Sequence, residues 1–125
     1  MTDESIIFKL CDQVRYKRLA AHNYLKHGHT EKVYENALRN RLRKSGLKVE
    51  QQYSLPVYDE DSSLLGDFYA DLYVEDKLIV ELKACRALND DHIAQVLGYL
   101  RASNKKHGLL INFRAPKLQL KKLIL

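Results

Sequence analysis

Residues 71–84 read DLYVEDKLIVELKA, and the way this stretch folds decides the rest of the chain. Its Val, Leu, Ile and Tyr suit half-buried strands and the polar run between them suits a turn, so it predicts a β-hairpin. Side chains alternate faces along a strand, and residues directly opposite each other share a face. Pairing Val74 with Leu78 sets Leu72 opposite Val80 and Ala70 opposite Leu82, a register expected to gather every aliphatic residue of the hairpin on one side. A slip of one residue would split that set between two faces, which burial penalises. The register needs a three-residue loop, Glu75-Asp76-Lys77, with Asp76 in the left-handed conformation more usual for Gly. The other side then carries Asp71 opposite Glu81, with Lys83 one step along.

Carboxylates that face each other across a strand pair repel, and loss of water adds to the cost. A positive charge between them relieves both effects. Lys83 supplies one in place, which would make the trio a structural ion cluster. A hard divalent cation such as Mg²⁺ supplies another, since it takes oxygen ligands and completes its shell with waters and a substrate phosphate. In that case Lys83 is free to position or deprotonate water, or to steady charge on a phosphate. The spacing alone leaves both readings open.

Around the hairpin, LKVEQQYSLPVY (47–58), LLGDFYADLYV (64–74) and KLIVELKAC (77–85) predict three consecutive antiparallel strands. Before them, Ser5 to about Leu25 places Ile7, Leu10, Val14, Ala21 and Leu25 at helical spacing, with Gly28 as a stop signal. Thr30 can cap a second helix with an apolar face of Val33, Tyr34, Ala37, Leu38 and Leu42, ending near Ser45-Gly46. After them, Asn89, Asp90 and Asp91 can cap a third helix through about Ala102, with Ile93, Val96, Leu97 and Leu100 as its stripe. HGLLINF (107–113) reads as a strand covered on both faces, and KKLIL (121–125) offers one more short strand.

The chain has 125 residues, enough for one domain with its own core and without room for a second. Apolar residues make up 46% and charged residues 30%, too hydrophobic a balance for a disordered chain. Lys and Arg exceed Asp and Glu by 21 to 16, a formal charge of +5 that favours a polyanionic partner such as nucleic acid. Cys11 and Cys85 stand alone, so neither a disulfide framework nor a zinc site is expected. The acidic start MTDESIIFKL is unlike a signal peptide and no apolar run is long enough to span a bilayer, which points to a cytoplasmic protein without a membrane partner.

Asp71, Glu81 and Lys83 form the pattern D-x9-E-x-K, and the third helix adds Q-x-x-x-Y in Gln95 and Tyr99. Together these resemble the PD-(D/E)XK nuclease superfamily, in particular its RecB-like branch. GHTEKVY, from Gly28 to Tyr34, is similar to the signature of the GxxExxY family, small bacterial proteins usually placed in that superfamily. The likeness runs in order through LRKSGLKVEQQYSLPV, the hairpin, QVLGYL and GLLINF.

The resemblance implies an α/β (α+β) fold, a restriction-endonuclease-like core whose mixed sheet is flanked by helices in the order α-α-β-β-β-α-β, over residues 1–125 as a single domain. It implies Asp71 and Glu81 as ligands of Mg²⁺ or Mn²⁺, with the backbone carbonyl of Leu82 and the helical acid Glu31 completing the set. Gln95 and Tyr99 would lie beside the metal and the nucleic-acid backbone. Some RecB-like enzymes use a helical histidine as a ligand, which adds His22 and His29 as candidates. Four residues apart on a helix, Gln95 and Tyr99 share a face away from the apolar stripe.

The expected function is a metal-dependent nuclease acting on DNA or RNA, DNA first, with Lys83, Glu81, Asp71 and Gln95 as its catalytic residues. Gln95, Tyr99, Arg39, Arg43 and Lys44 would contact nucleic acid, with Arg41, Lys105 and Lys106 as further phosphate-binding candidates. The alternative is an inert nucleic-acid-binding or partner-binding module with the same fold. So small a core leaves little for target recognition, so a homodimer or a protein partner is a further expectation.

Overall fold

The computed structural model describes residues 2–114 and 119–125. Helix α1 (Asp3–Leu25) starts at Thr2, whose hydroxyl accepts the Ser5 N–H at 3.1 Å, and buries Ile7, Leu10, Cys11, Val14, Arg18 and Ala21. Its stop falls on Lys26, which takes the positive φ of 62° two residues before Gly28. Helix α2 (Glu31–Lys44) buries Tyr34, Glu35, Leu38 and Leu42. Thr30 holds the cap position without a capping side-chain bond, and Val33, expected on the apolar face, is exposed.

Strands β1 (Val49–Tyr58), β2 (Leu64–Val74) and β3 (Leu78–Lys83) form an antiparallel meander. Helix α3 (Asp90–Ser103) then crosses to β4 (His107–Asn112), which lies parallel to β3. The crossover starts on a capping box: Asn89 accepts the His92 N–H at 3.0 Å, and His92 Nδ1 accepts the Asn89 N–H at 3.1 Å. It ends on Asn104 in the left-handed conformation. A last strand, β5 (Gln119–Ile124), pairs antiparallel with β4, so KKLIL belongs to the sheet and extends the expected order by one strand. Among the described residues the result is a mixed five-stranded sheet in the order β1-β2-β3-β4-β5 with three helices, a restriction-endonuclease-like core.

The hairpin has the predicted register, Val74 with Leu78 and Leu72 with Val80. Its loop bends through two left-handed residues, Glu75 (φ 53°) and Asp76 (φ 55°), where the sequence pointed to Asp76 alone. The expectation that one face holds every aliphatic residue fails at Ile79 and at Ala70. The regular ladder ends at Leu72 with Val80, so Ala70 is not paired with Leu82 and packs in the opposite core instead. Leu72, Val74, Leu78, Val80 and Leu82 pack under α1 and α2, but Ile79 and Tyr73 belong to the opposite core with Val96 and Leu100 of α3. Both sheet faces are therefore covered, and β4 splits Leu109 and Ile111 from Leu110 between them.

Candidate active site

Side chains beyond Leu72 and Val80 take over the pairing of β2 and β3. The last regular pair is Leu72 with Val80. One step on, the Asp71 backbone N–H donates to Glu81 Oε1 at 2.9 Å, and the Leu82 backbone N–H donates to Asp71 Oδ2 at 2.8 Å. Each carboxylate thus fills a ladder position on the opposite strand. The strands keep enough apolar pairing behind this point to hold both acids in place.

Glu81 sits in a dry environment and Asp71 in a half-buried one. Glu81 is only 4% exposed. Burial first, and then the charge of Asp71, push its carboxyl up to about 8. Burial is also the largest influence on Asp71, raised above its ordinary value, with the Leu82 N–H pulling the other way and Glu35 adding to the rise. Two neighbouring acids held against ionisation mark a place where positive charge is missing.

Lys83 does not fill that place with an ion pair. Its Nζ donates to Gln95 Oε1 at 3.0 Å, which joins the end of β3 to α3, and among the described residues it forms no ion pair with Asp71 or Glu81. Tyr99, one turn after Gln95, has its hydroxyl pKa raised by burial first and then by the Glu81 and Asp71 carboxylates, and its ring packs 4.8 Å from that of Phe68. Asp71, Glu81, Lys83, Gln95 and Tyr99 are therefore gathered at one site by β2, β3 and α3.

Helix α2 reaches this site through a residue that sequence reading passed over. Glu35 is buried, takes Lys32 Nζ at 3.0 Å on Oε2, and accepts the Gln52 amide at 3.0 Å on Oε1. The same Gln52 Nε2 donates to Asp71 Oδ1 at 3.2 Å. Glu31, the acid expected here, is exposed one turn earlier, without a hydrogen bond to this network among the described residues. The signal for Glu35 was its place on the stripe that continues through Leu38 and Leu42, where a carboxylate needs a partner. Gln52 carries a φ of 49° opposite Asp71, a left-handed strain that a residue with a side chain bears only where its surroundings impose it.

The other candidates lie elsewhere. His22 stacks edge-on with His27 at 5.2 Å, and His29 contacts the Leu25 carbonyl and the Tyr34 ring. Among the described residues no three His, Cys, Asp or Glu side chains form a metal-binding group, so neither histidine joins the carboxylates. Arg39 donates to Gln51, and Arg43 donates twice to the Val49 carbonyl, at 3.1 and 2.7 Å, which ties α2 to β1. Lys44 is exposed.

A divalent cation fits the donors that remain. Asp71, Glu81 and the Leu82 carbonyl offer hard oxygen atoms, and Mg²⁺ is commonly bound by one or two carboxylates with waters and phosphate completing the shell. The missing positive charge at Glu81 is the need that such an ion answers.

This architecture is a restriction-endonuclease-like α+β domain. A model of the PD-(D/E)XK nuclease superfamily matches residues 9–123, and the chain belongs to that superfamily, whose members are nucleases acting on nucleic acid with divalent metal ions. Among curated proteins none shows a significant sequence match. The crystal structure of SSO0001 is similar in fold, with a TM-score of 0.62 at 16% identity over 92% of this chain. The chain spans 61% of the length of that protein. No helix among the described residues is long and apolar enough to cross a membrane.

Proposed function

We propose that residues 1–125 form a single metal-dependent phosphodiesterase domain that cuts nucleic acid, DNA first, using Mg²⁺ or Mn²⁺ held by Asp71, Glu81 and the Leu82 carbonyl. The observation that carries this reading is the pairing of the buried Glu81 with the half-buried Asp71, fixed by backbone N–H groups, with the Lys83–Gln95 contact beside it. Within the superfamily, the GHTEKVY segment and the Gln95/Tyr99 pair support placement in the GxxExxY family and the RecB-like branch, in the cytoplasm.

When bound, the cation would supply charge neutralisation at the phosphate and a more acidic water. The chain does the rest by positioning. Gln95 takes one N–H of the Lys83 ammonium, which leaves two donors for a water or a phosphate oxygen. Glu35 acts through Gln52 to fix the Asp71 carboxylate, and α2 contributes to the site in this way. Tyr99 and Gln95 present a wall for the substrate backbone. Water oxygen adds to phosphorus and releases a proton to solvent, the P–O3′ bond breaks, and the 3′-oxygen takes a proton from solvent, leaving a 5′-phosphate. Selection of targets is left to a second copy or a protein partner.

The test is incubation of purified protein with single-stranded DNA, duplex DNA and RNA, each in Mg²⁺, Mn²⁺ or chelator. Cleavage of any substrate that stops in chelator supports the reading and identifies the substrate class. A folded protein that binds nucleic acid or a partner and cuts nothing in any condition would instead be an inert module.

A further inference from the structure

A second site lies at the turn between α1 and α2. His27, Gly28, His29, Tyr34, Ala84 and Arg114 line a cleft of about 450 Å³, large enough for a phosphate with its sugar. Ala84 directly follows Lys83, and the Phe113 N–H donates to the Lys83 carbonyl at 2.8 Å, so Ala84 and Arg114 leave β3 and β4 side by side. The cleft thus opens at the same end of the sheet as the proposed catalytic lysine, on the α1/α2 side.

Its charge is one-sided. Arg114, His27 and His29 line it, Lys26 flanks it, and the described lining contains no acid. Among the described residues no carboxylate pairs with Arg18, Lys26 or Arg114. Behind His27, the His22 Nε2 atom is buried without a hydrogen-bond partner. Burial, and then Arg18, His27 and Lys26, hold the His22 ring below the ordinary histidine range. Arg114 and Lys26 stand here without a counter-charge among the described residues, with the His27 and His29 rings beside them, a set of positive charge and ring nitrogens that suits an anion.

We propose that this cleft binds a phosphate group of the substrate strand, beside the phosphate being cut, with Arg114 and His27 as its main donors. Arginine is suited to this role because its planar fork matches phosphate oxygens. The proposal rests on the nuclease reading for the identity of the strand, but phosphate binding itself does not need turnover. The phosphate is either a terminal monoester, which would make the enzyme sensitive to strand ends, or an internal diester.

The experiment is an amide NMR titration of the full chain in chelator with inorganic phosphate, followed by affinity measurements with one oligonucleotide bearing or lacking a 5′-phosphate. Phosphate is expected to shift Gly28, His29 and Ala84. Arg114→Ala and His27→Ala should each weaken oligonucleotide binding fivefold or more, with Arg114→Lys recovering only part of the loss because it keeps the charge without the planar fork. A terminal site shows as a preference of fivefold or more for the phosphorylated oligonucleotide, and an internal site as equal binding of both that still depends on Arg114. Shifts confined to other residues, or binding indifferent to both alanine variants, overturn the proposal. If cleavage is absent while the cleft binds phosphate, the nuclease reading fails alone; if cleavage proceeds without dependence on Arg114 or His27, the cleft fails alone.

Discussion

Asp71 and Glu81 hold each other in place through the backbone. The Asp71 N–H donates to Glu81 Oε1 at 2.9 Å, and the residue after Glu81 returns the bond, Leu82 N–H to Asp71 Oδ2 at 2.8 Å. Preorganisation of this kind lets a site keep repelling charges close without unfolding the strands that carry them.

The first prediction concerns pH. Glu81 has its carboxyl raised from 4.5 to about 8, so between those values the folded state holds a proton that the unfolded state has released. The folded state binds more protons in that window, and stability must therefore fall as pH rises, by up to about 1.4 kcal/mol per pH unit. Asp71, also raised, acts in the same direction. Denaturant melts in chelator from pH 4.5 to 8 should show the decline, and Mg²⁺ or Mn²⁺ should reverse it by favouring the ionised acids. A flat profile in chelator would contradict the burial argument.

Glu81→Gln should separate stability from activity. The amide oxygen can keep the Asp71 N–H, and the uncharged group removes the repulsion with Asp71. Stability at pH 8 without metal is expected to rise by about 1–3 kcal/mol, while cleavage is lost. Thermal melts beside a nuclease assay check both halves, and a variant less stable than the parent would count against the account.

Gln95→Ala tests whether Lys83 must be held. Gln95 is exposed, so its loss should change stability by no more than about 0.5 kcal/mol. Its hydrogen bond fixes the ammonium, and misplacement should cost about 10- to 100-fold in turnover. The split between kcat and KM is informative: a positioning role lowers kcat, whereas a rise in KM alone would assign Gln95 to substrate binding.

Gly108→Ala reaches the site from behind. A Cβ at Gly108 would come within 2.9 Å of Val96 Cγ1 and 3.3 Å of Leu100 Cδ1, both on α3. Overpacking here is expected to cost about 1–3 kcal/mol, and it should push α3 outward with Gln95 and Tyr99. Turnover should fall along with the melting temperature. Unchanged turnover in the folded fraction would show that the position of α3 does not matter to the chemistry.

Much of this arrangement is legible in the sequence because the hairpin register is set by alternation. Leu72, Val74, Leu78, Val80 and Leu82 can all be buried in only one register, and that register sets Asp71 against Glu81. Ile79 escapes the argument because α3 covers the second face, a fact of tertiary packing that alternation within one hairpin does not encode. Glu35 escapes it for a related reason. Its partner Gln52 is seventeen residues away, on a strand whose left-handed kink has no sequence signal. Arg39 and Arg43 read as nucleic-acid contacts at the end of α2, and in the structure they bond to Gln51 and the Val49 carbonyl because α2 lies along β1.

The most direct measurement is the rate of cleavage by the parent protein, Glu81→Ala and Lys83→Ala on the same oligonucleotide, in Mg²⁺, Mn²⁺ and chelator, with each variant shown to be folded. The account predicts metal-dependent cleavage by the parent and none by either variant. Cleavage that survives in chelator, or in either folded variant, would contradict it.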